Sequence, residues 1–395
     1  MEQLLRCLQQ IPEVAELALR VEEGGCPAAV SGLAPVHRAQ VAAALAQATG
    51  RPLVAVCGDE RDAQRLAADL SVLTGTPAAM LGAREWQLTA ASASRGWEQQ
   101  RIAALYALAR GGQRVVVATA DALLQRSIPP QVLRDTAFSL ELGGRASLKD
   151  LSQRLTAAGY SRAQQVEGVG QFALRGGILD VFSPGMEEPV RCEFFDDEID
   201  SMGVFDPGTQ RRTRNIKSAL VLPAMEVLPA LAPGGIQGLA ERLEALAEKA
   251  EKKKAGQRLA QTLAEDAERL RNGAALPGAD RYLHAVYPGD ESSVDYLPKG
   301  ALVFFSESGR VTERVKSALW QWKQDTETLL SAGTLAGELA HLSLSAEELW
   351  SALEDFPVVM ADALPTSRYP LRPRGLLSIT ANVVISPLAP TIRIR

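Results

Sequence analysis

The chain has 395 residues, 46% of them apolar and 23% charged, with a formal net charge of −5. That is the balance of a globular chain of roughly two to three domains. The negative balance and the lack of a strongly basic block exclude a stand-alone nucleic-acid binder as the main role. The four cysteines (Cys7, Cys26, Cys57, Cys192) form no C-x-x-C pair, and the three histidines lie far apart in sequence. Reduced thiols in a cytoplasmic protein are therefore expected, with no metal site and no catalytic residues.

Met1 to Arg20 reads as amphipathic helix interrupted at Pro12, without the apolar core of a signal peptide. No apolar run reaches membrane-spanning length. Ala28–Ser31 is a short apolar strand, and His37 to Thr49 is helical. Then follow a strand over Pro52–Cys57, a helix over Glu60–Leu73, a strand over Ala78–Leu81, a helix over Gln99–Ala109 and a strand over Arg114–Thr119. Ala120 to Leu124 begins another helix. The alternation predicts a parallel α/β sheet.

A nucleotide-binding sheet of this kind carries G-x-x-x-x-G-K-[ST] after its first strand, where backbone N–H groups cradle phosphates and the lysine reaches the outer ones. Here the stretch is Gly32-Leu33-Ala34-Pro35-Val36-His37-Arg38-Ala39. The first glycine is kept. His37 replaces the second, Arg38 the lysine and Ala39 the hydroxyl that holds magnesium, and Pro35 removes a backbone donor. Nucleotide hydrolysis is not expected from such a loop.

Tyr160 to Phe205 is rich in aromatic and β-branched residues broken by turn signals. Gln171–Phe182, Pro189–Phe195 and Glu198–Phe205 read as three runs of an antiparallel meander. Alternation puts Val190, Cys192 and Phe194 on a core face and Arg191, Glu193 and Phe195 on the other. Guanidinium, carboxylate and phenyl in one row is an interface composition, and Arg175 can join it from a neighbouring run. The competing reading is a solvated strand face with a cross-strand ion pair.

Ile236, Leu239, Leu243, Leu246 and Ala250 recur at helical spacing, and Leu259, Leu263 and Leu270 continue the stripe, predicting a helix or helical hairpin. Lys252-Lys253-Lys254, balanced by Glu248 and Glu251, is weak evidence for nucleic-acid contact, as are Arg211, Arg212 and Arg214. Ala301 to Phe305 is a buried strand followed by Ser306-Glu307-Ser308-Gly309. A helicase-type motor carries D-E-x-H at this place, the aspartate for magnesium and the glutamate for water. Ser306 stands at the aspartate position and Glu307 remains alone, so both nucleotide elements are degraded. Arg372 to Arg395, with Pro373, Pro387 and Pro390, reads as a linker or terminal extension.

Three stretches carry a resemblance: Arg162 in Y-S-R, Arg175-Gly176-Gly177-Ile178-Leu179-Asp180-Val181-Phe182, and Arg191-Cys192-Glu193-Phe194-Phe195-Asp196-Asp197-Glu198-Ile199. They resemble the second domain of the excision-repair protein UvrB and, still more, the same module in the transcription-repair coupling factors. The resemblance implies a degenerate RecA-like motor lobe interrupted by an inserted α+β module. Its expected boundaries are 1–130 for the first lobe segment, 131–222 for the module, 223–370 for the second lobe segment and 371–395 for the extension. It implies UvrA as partner, bound through Arg162, Arg175, Arg191, Glu193 and Phe195 by presenting a UvrB-like surface. Where UvrB has a further arginine this chain has Ala173. The interval from Trp86 to Arg101 is too short, and lacks a tyrosine, for the long DNA-prying hairpin of UvrB. In the family, RNA polymerase and DNA are partners of the complete protein, ATP and magnesium serve its motor domains, and a carboxy-terminal domain masks the UvrA face. No cofactor is expected for this portion. The alternative is an ATP-dependent DNA-binding component of excision repair of the UvrB or helicase type, which needs nucleotide at Gly32 to Ala39.

Overall fold

The computed structural model describes residues 1–86, 88, 96–253 and 256–379. In chain order the strands are β1 (Ala28–Ser31), β2 (Leu53–Cys57), β3 (Ala79–Leu81), β4 (Val115–Thr119), β5 (Phe138–Glu141), β6 (Ser161–Arg162), β7 (Gln171–Arg175), β8 (Ile178–Phe182), β9 (Val190–Phe195), β10 (Glu198–Phe205), β11 (Arg212–Asn215), β12 (Ser218–Val221), β13 (Leu302–Ser306), β14 (Val358–Asp362) and β15 (Gly375–Ser378).

Seven of them form one sheet in the order β15-β1-β14-β13-β2-β4-β3, parallel throughout. Burial on both faces explains why these strands read as unbroken apolar runs. In β2, Val54 and Val56 enter the core on one side, while Leu53, Ala55 and Cys57 enter the core on the other. Helices Pro35–Thr49 and Glu60–Thr74 cover the second side, and each ends on a glycine in the left-handed region, Gly50 and Gly75.

The expected linker is corrected at its start. Residues 375–378 pair in parallel with β1 and put an edge strand on the sheet. Three prolines hid a strand of four residues, too short for its alternation to stand out. At Gly32, φ is +90°, and an added Cβ would lie 2.0 Å from the Ile379 carbonyl oxygen. The glycine kept from the nucleotide motif is thus required here by a close backbone approach.

The remaining strands build the inserted module. Its larger sheet has the order β11-β10-β9-β8-β7-β6, antiparallel except for β6 against β7, and β5 pairs with β12 separately. Gln171–Phe182, expected as one run, is a hairpin: Gly176, with φ +58°, turns the chain between β7 and β8. The module core gathers Phe172, Leu179, Val181, Val190, Cys192 and Met202 with Leu151 and Leu155 of helix Leu148–Ala157.

The chain enters the module at Phe138 and leaves it at Val221, which pair at the ends of β5 and β12, and two further bonds tie its interior to the departing chain. Tyr160 Oη donates to the Leu222 carbonyl at 2.6 Å, and Ala224 N donates to the Ala158 carbonyl at 2.9 Å. Below this neck lies a buried ionic cluster of the lobe. Arg101 reaches Glu226 at 3.0 Å, and Arg84 lies 3.2 Å from Glu98 and 3.4 Å from Asp280. The predicted helical stripe is a hairpin, Gly235–Glu251 and Gln257–Arg271. The short hairpin question between Trp86 and Arg101, and Lys254 of the lysine run, fall largely outside the described residues.

Candidate interaction face and degenerate nucleotide site

Cross-strand register aligns Ala173, Asp180, Arg191 and Gly203 in one row on the outer face of the module sheet, and Arg175, Ile178, Glu193 and Ser201 in the next. Asp180 is fully buried. An isolated carboxylate there would be costly, and two guanidinium groups answer it. Arg191 Nε donates to Oδ1 at 2.7 Å and Nη2 to Oδ2 at 2.8 Å, while Arg175 Nη2 donates to Oδ2 at 2.7 Å. Arg191 Nη1 also donates to the Gln210 carbonyl at 3.1 Å, and its guanidinium lies 4.5 Å from the centre of the Phe205 ring. The hydrogen bond to Asp180 raises the Arg191 pKa above its ordinary value.

The two arginines therefore differ. The Arg191 side chain is 16% exposed and fully engaged, whereas that of Arg175 is 42% exposed and spends one nitrogen on Asp180. Both already share a carboxylate of this chain. Glu193 accepts from Arg212 Nη2 at 3.1 Å, and Arg212 Nη1 donates to Ser201 Oγ at 2.6 Å. Arg162 is exposed on β6. Phe195 is 78% exposed where β9 turns into β10, and Asp196, at φ +56°, makes the turn. Ala173 is buried with Val166, Phe182 and Phe205 in a small apolar cluster beside Arg191.

Asp180 was given no role of its own from sequence, and Arg212 was read only as weak evidence for nucleic-acid contact. Asp180 had a signal: a carboxylate inside the apolar run Ile178-Leu179-Asp180-Val181-Phe182, at the parity of the outer row. Arg212 had none, because its partner lies two strands away in the register.

The two stretches compared with nucleotide motifs in the sequence meet each other. Arg38 is buried at the start of helix Pro35–Thr49, donates to the Leu33 carbonyl at 3.2 Å and forms an ion pair with Glu307. Glu307 sits at φ +65° as the residue preceding helix Ser308–Ser331 and also accepts from Ala363 N at 2.9 Å. Ser308 donates from N and Oγ to Asp362, both at 2.8 Å. Burial pushes the Asp362 carboxyl above the usual carboxylate range. Ala39 is buried without any hydroxyl to offer a metal.

Residues 138–226 match the UvrB interaction domain family. The matched stretch is the antiparallel module, carried on a parallel α/β lobe. Over half to most of its length the chain is similar to transcription-repair-coupling factors. The Myxococcus xanthus protein is 37% identical over 206 residues, 50% of this chain and 17% of its own length. The Bacillus subtilis protein is 27% identical over 324 residues, 81% of this chain and 27% of its own. The chain is also similar to UvrABC system protein B of Hydrogenovibrio crunogenus, 35% identical over 224 residues, 53% of this chain and 33% of that protein. It thus spans between 17% and 27% of the length of the first two relatives.

Proposed function

We propose that this chain is the UvrA-docking part of a transcription-repair coupling factor. It presents the outer row of the module sheet to UvrA in the manner of UvrB, so that excision repair is brought to a stalled polymerase. The observation that carries the reading is the pairing of an exposed Phe195 and a half-exposed Arg175 within a segment matching the UvrB interaction domain. Phe195 supplies an apolar anchor, Arg175 the free arm of a guanidinium fork, and the Arg212–Glu193 pair flanks them. Arg162 extends the row. Arg191 acts through Asp180 by holding that row in place.

Nucleotide hydrolysis is not part of this role. The Arg38–Glu307 pair ties up the one cation and the one carboxylate that remain of the two motifs. RNA polymerase and DNA are then partners of the longer protein, with ATP and magnesium at its motor domains. Masking of the module by a carboxy-terminal domain belongs to that longer protein too. A pull-down of the chain against purified UvrA tests the reading. Wild type retains UvrA and Arg175→Ala retains less. Equal retention by wild type and a Phe195→Ala, Arg175→Ala double variant rejects the face.

A further inference from the structure

Arg212 crosses the outer face of the module sheet. It opens β11 opposite Phe205, while Ser201 on β10 stands opposite Glu193 on β9. All four positions share that face, because residues paired across strands point the same way. From its place beside Phe205 the Arg212 side chain runs back over Gly203. An added Cβ at Gly203 would lie 2.9 Å from Arg212 Cδ and Nε and 2.7 Å from the Arg214 carbonyl oxygen. The absent side chain is thus the channel in which the arginine stem lies.

At its far end the guanidinium has three neighbours. Nη1 donates to Ser201 Oγ at 2.6 Å and to Asn215 Oδ1 at 3.4 Å, and Nη2 donates to Glu193 Oε1 at 3.1 Å. Only 27% of the arginine side chain is exposed, although β11 is an edge strand. Surface ion pairs gain little because two long side chains must be ordered to make them. Here the glycine channel and Ser201 already order the arginine, so Glu193 meets a guanidinium that is held in place.

Glu193 is left with one oxygen to offer. Oε1 is taken by Arg212, whereas Oε2 accepts no hydrogen bond from the described residues, and 47% of the side chain is open to solvent. Glu193 lies in the same row as Arg175, with Ile178 between them. The row therefore presents a donor on one side, the free arm of Arg175, and an acceptor on the other. An ionised carboxylate only accepts, so the group that meets Oε2 has to donate: a guanidinium, an ammonium or an amide N–H.

We propose that Arg212 is a positioning residue of the docking face, fixing Glu193 so that its Oε2 meets a hydrogen-bond donor of UvrA. This role rests on the docking reading. Without Arg212 the Glu193 side chain regains its rotamers, and binding has to freeze them again. Folding depends little on the pair, since both side chains are partly exposed.

The test is a calorimetric titration of the intact chain with purified UvrA, arranged as a double-mutant cycle of Arg212→Gln and Glu193→Gln. Arg212→Gln alone is expected to weaken UvrA about fivefold, the loss that freeing one carboxylate side chain implies, with the melting temperature unchanged. In the Glu193→Gln background the same substitution should change nothing further, because the group it positions is gone. A purely structural role would lower the melting temperature and weaken UvrA equally in both backgrounds. Unchanged affinity of Arg212→Gln, a lowered melting temperature, or equal losses in both backgrounds overturns the proposal. Arg175→Ala separates this failure from that of the docking reading. If Arg175→Ala weakens UvrA and Arg212→Gln does not, the face stands and the role of Arg212 falls. If the wild-type chain does not bind UvrA, both fall.

Discussion

Asp180 and Arg191 face each other on adjacent strands and close a two-armed ion pair, Nε to Oδ1 at 2.7 Å and Nη2 to Oδ2 at 2.8 Å. The carboxylate is buried and the guanidinium nearly so, which makes the pair a structural joint of the module sheet. Its loss is expected to be felt first as instability. Asp180→Asn leaves Arg191 facing a neutral amide and should lower the unfolding free energy by about 3 kcal/mol. Urea denaturation measures it. A loss below about 1 kcal/mol would show that the pair is dispensable.

Phe195 offers the opposite case. With 78% of its surface open to solvent, it has little folding energy to lose. Phe195→Ala should leave the melting temperature within experimental scatter and weaken UvrA by about 2 kcal/mol in a calorimetric titration. Unchanged affinity removes Phe195 from the docking row.

The Arg38–Glu307 pair predicts indifference to nucleotide. Neither ATP nor ADP with magnesium should raise the melting temperature of the chain, whereas a bound ligand at 100 times its Kd would stabilise it by about 2.7 kcal/mol. A nucleotide-dependent rise in melting temperature that Arg38→Ala abolishes would restore the helicase-type alternative.

Gly32 is held for space and for its backbone angle. Gly32→Ala must fit a methyl group 2.0 Å from the Ile379 carbonyl at φ +90°. A cost of about 2 kcal/mol or more, seen by thermal unfolding, is expected. Wild-type stability in that variant would mean that the segment around Ile379 does not lie against β1.

Burial pushes the thiols of Cys57 and Cys192 up to about 12, with neighbouring aspartates adding to the shift. Cys7 is exposed. Alkylation of the native protein at about pH 8 should label Cys7 and spare these two, which become reactive on unfolding. Rapid native labelling of Cys192 would contradict a closed module core.

Much of this architecture was visible in the residues. The apolar runs of β2, β4 and β13 announced a sheet buried on both faces, and the alternation through β9 separated Val190 and Cys192 from Arg191 and Phe195. What escaped were features set by distant chain. The turn at Gly176 lies inside an otherwise uniform strand signal. The edge strand β15 exists because β1 offers it a partner 346 positions earlier, the separation of Ser31 and Leu377 in the sequence. The demand of Asp180 for two cations depends on its burial, which no local pattern measures. Of the two readings of Arg191, the cross-strand ion pair is the one the structure contains, with Asp180 as the partner.

The neck of the module, where Phe138 pairs with Val221, has a consequence for how such proteins are assembled. Both crossings of the chain lie side by side, and β5 runs antiparallel to β12 from that point. A segment whose two ends already touch is a cassette: it can be lifted from one host and spliced into a surface loop of another without stretching either. The lobe beneath it has only to hold the cassette by its ends.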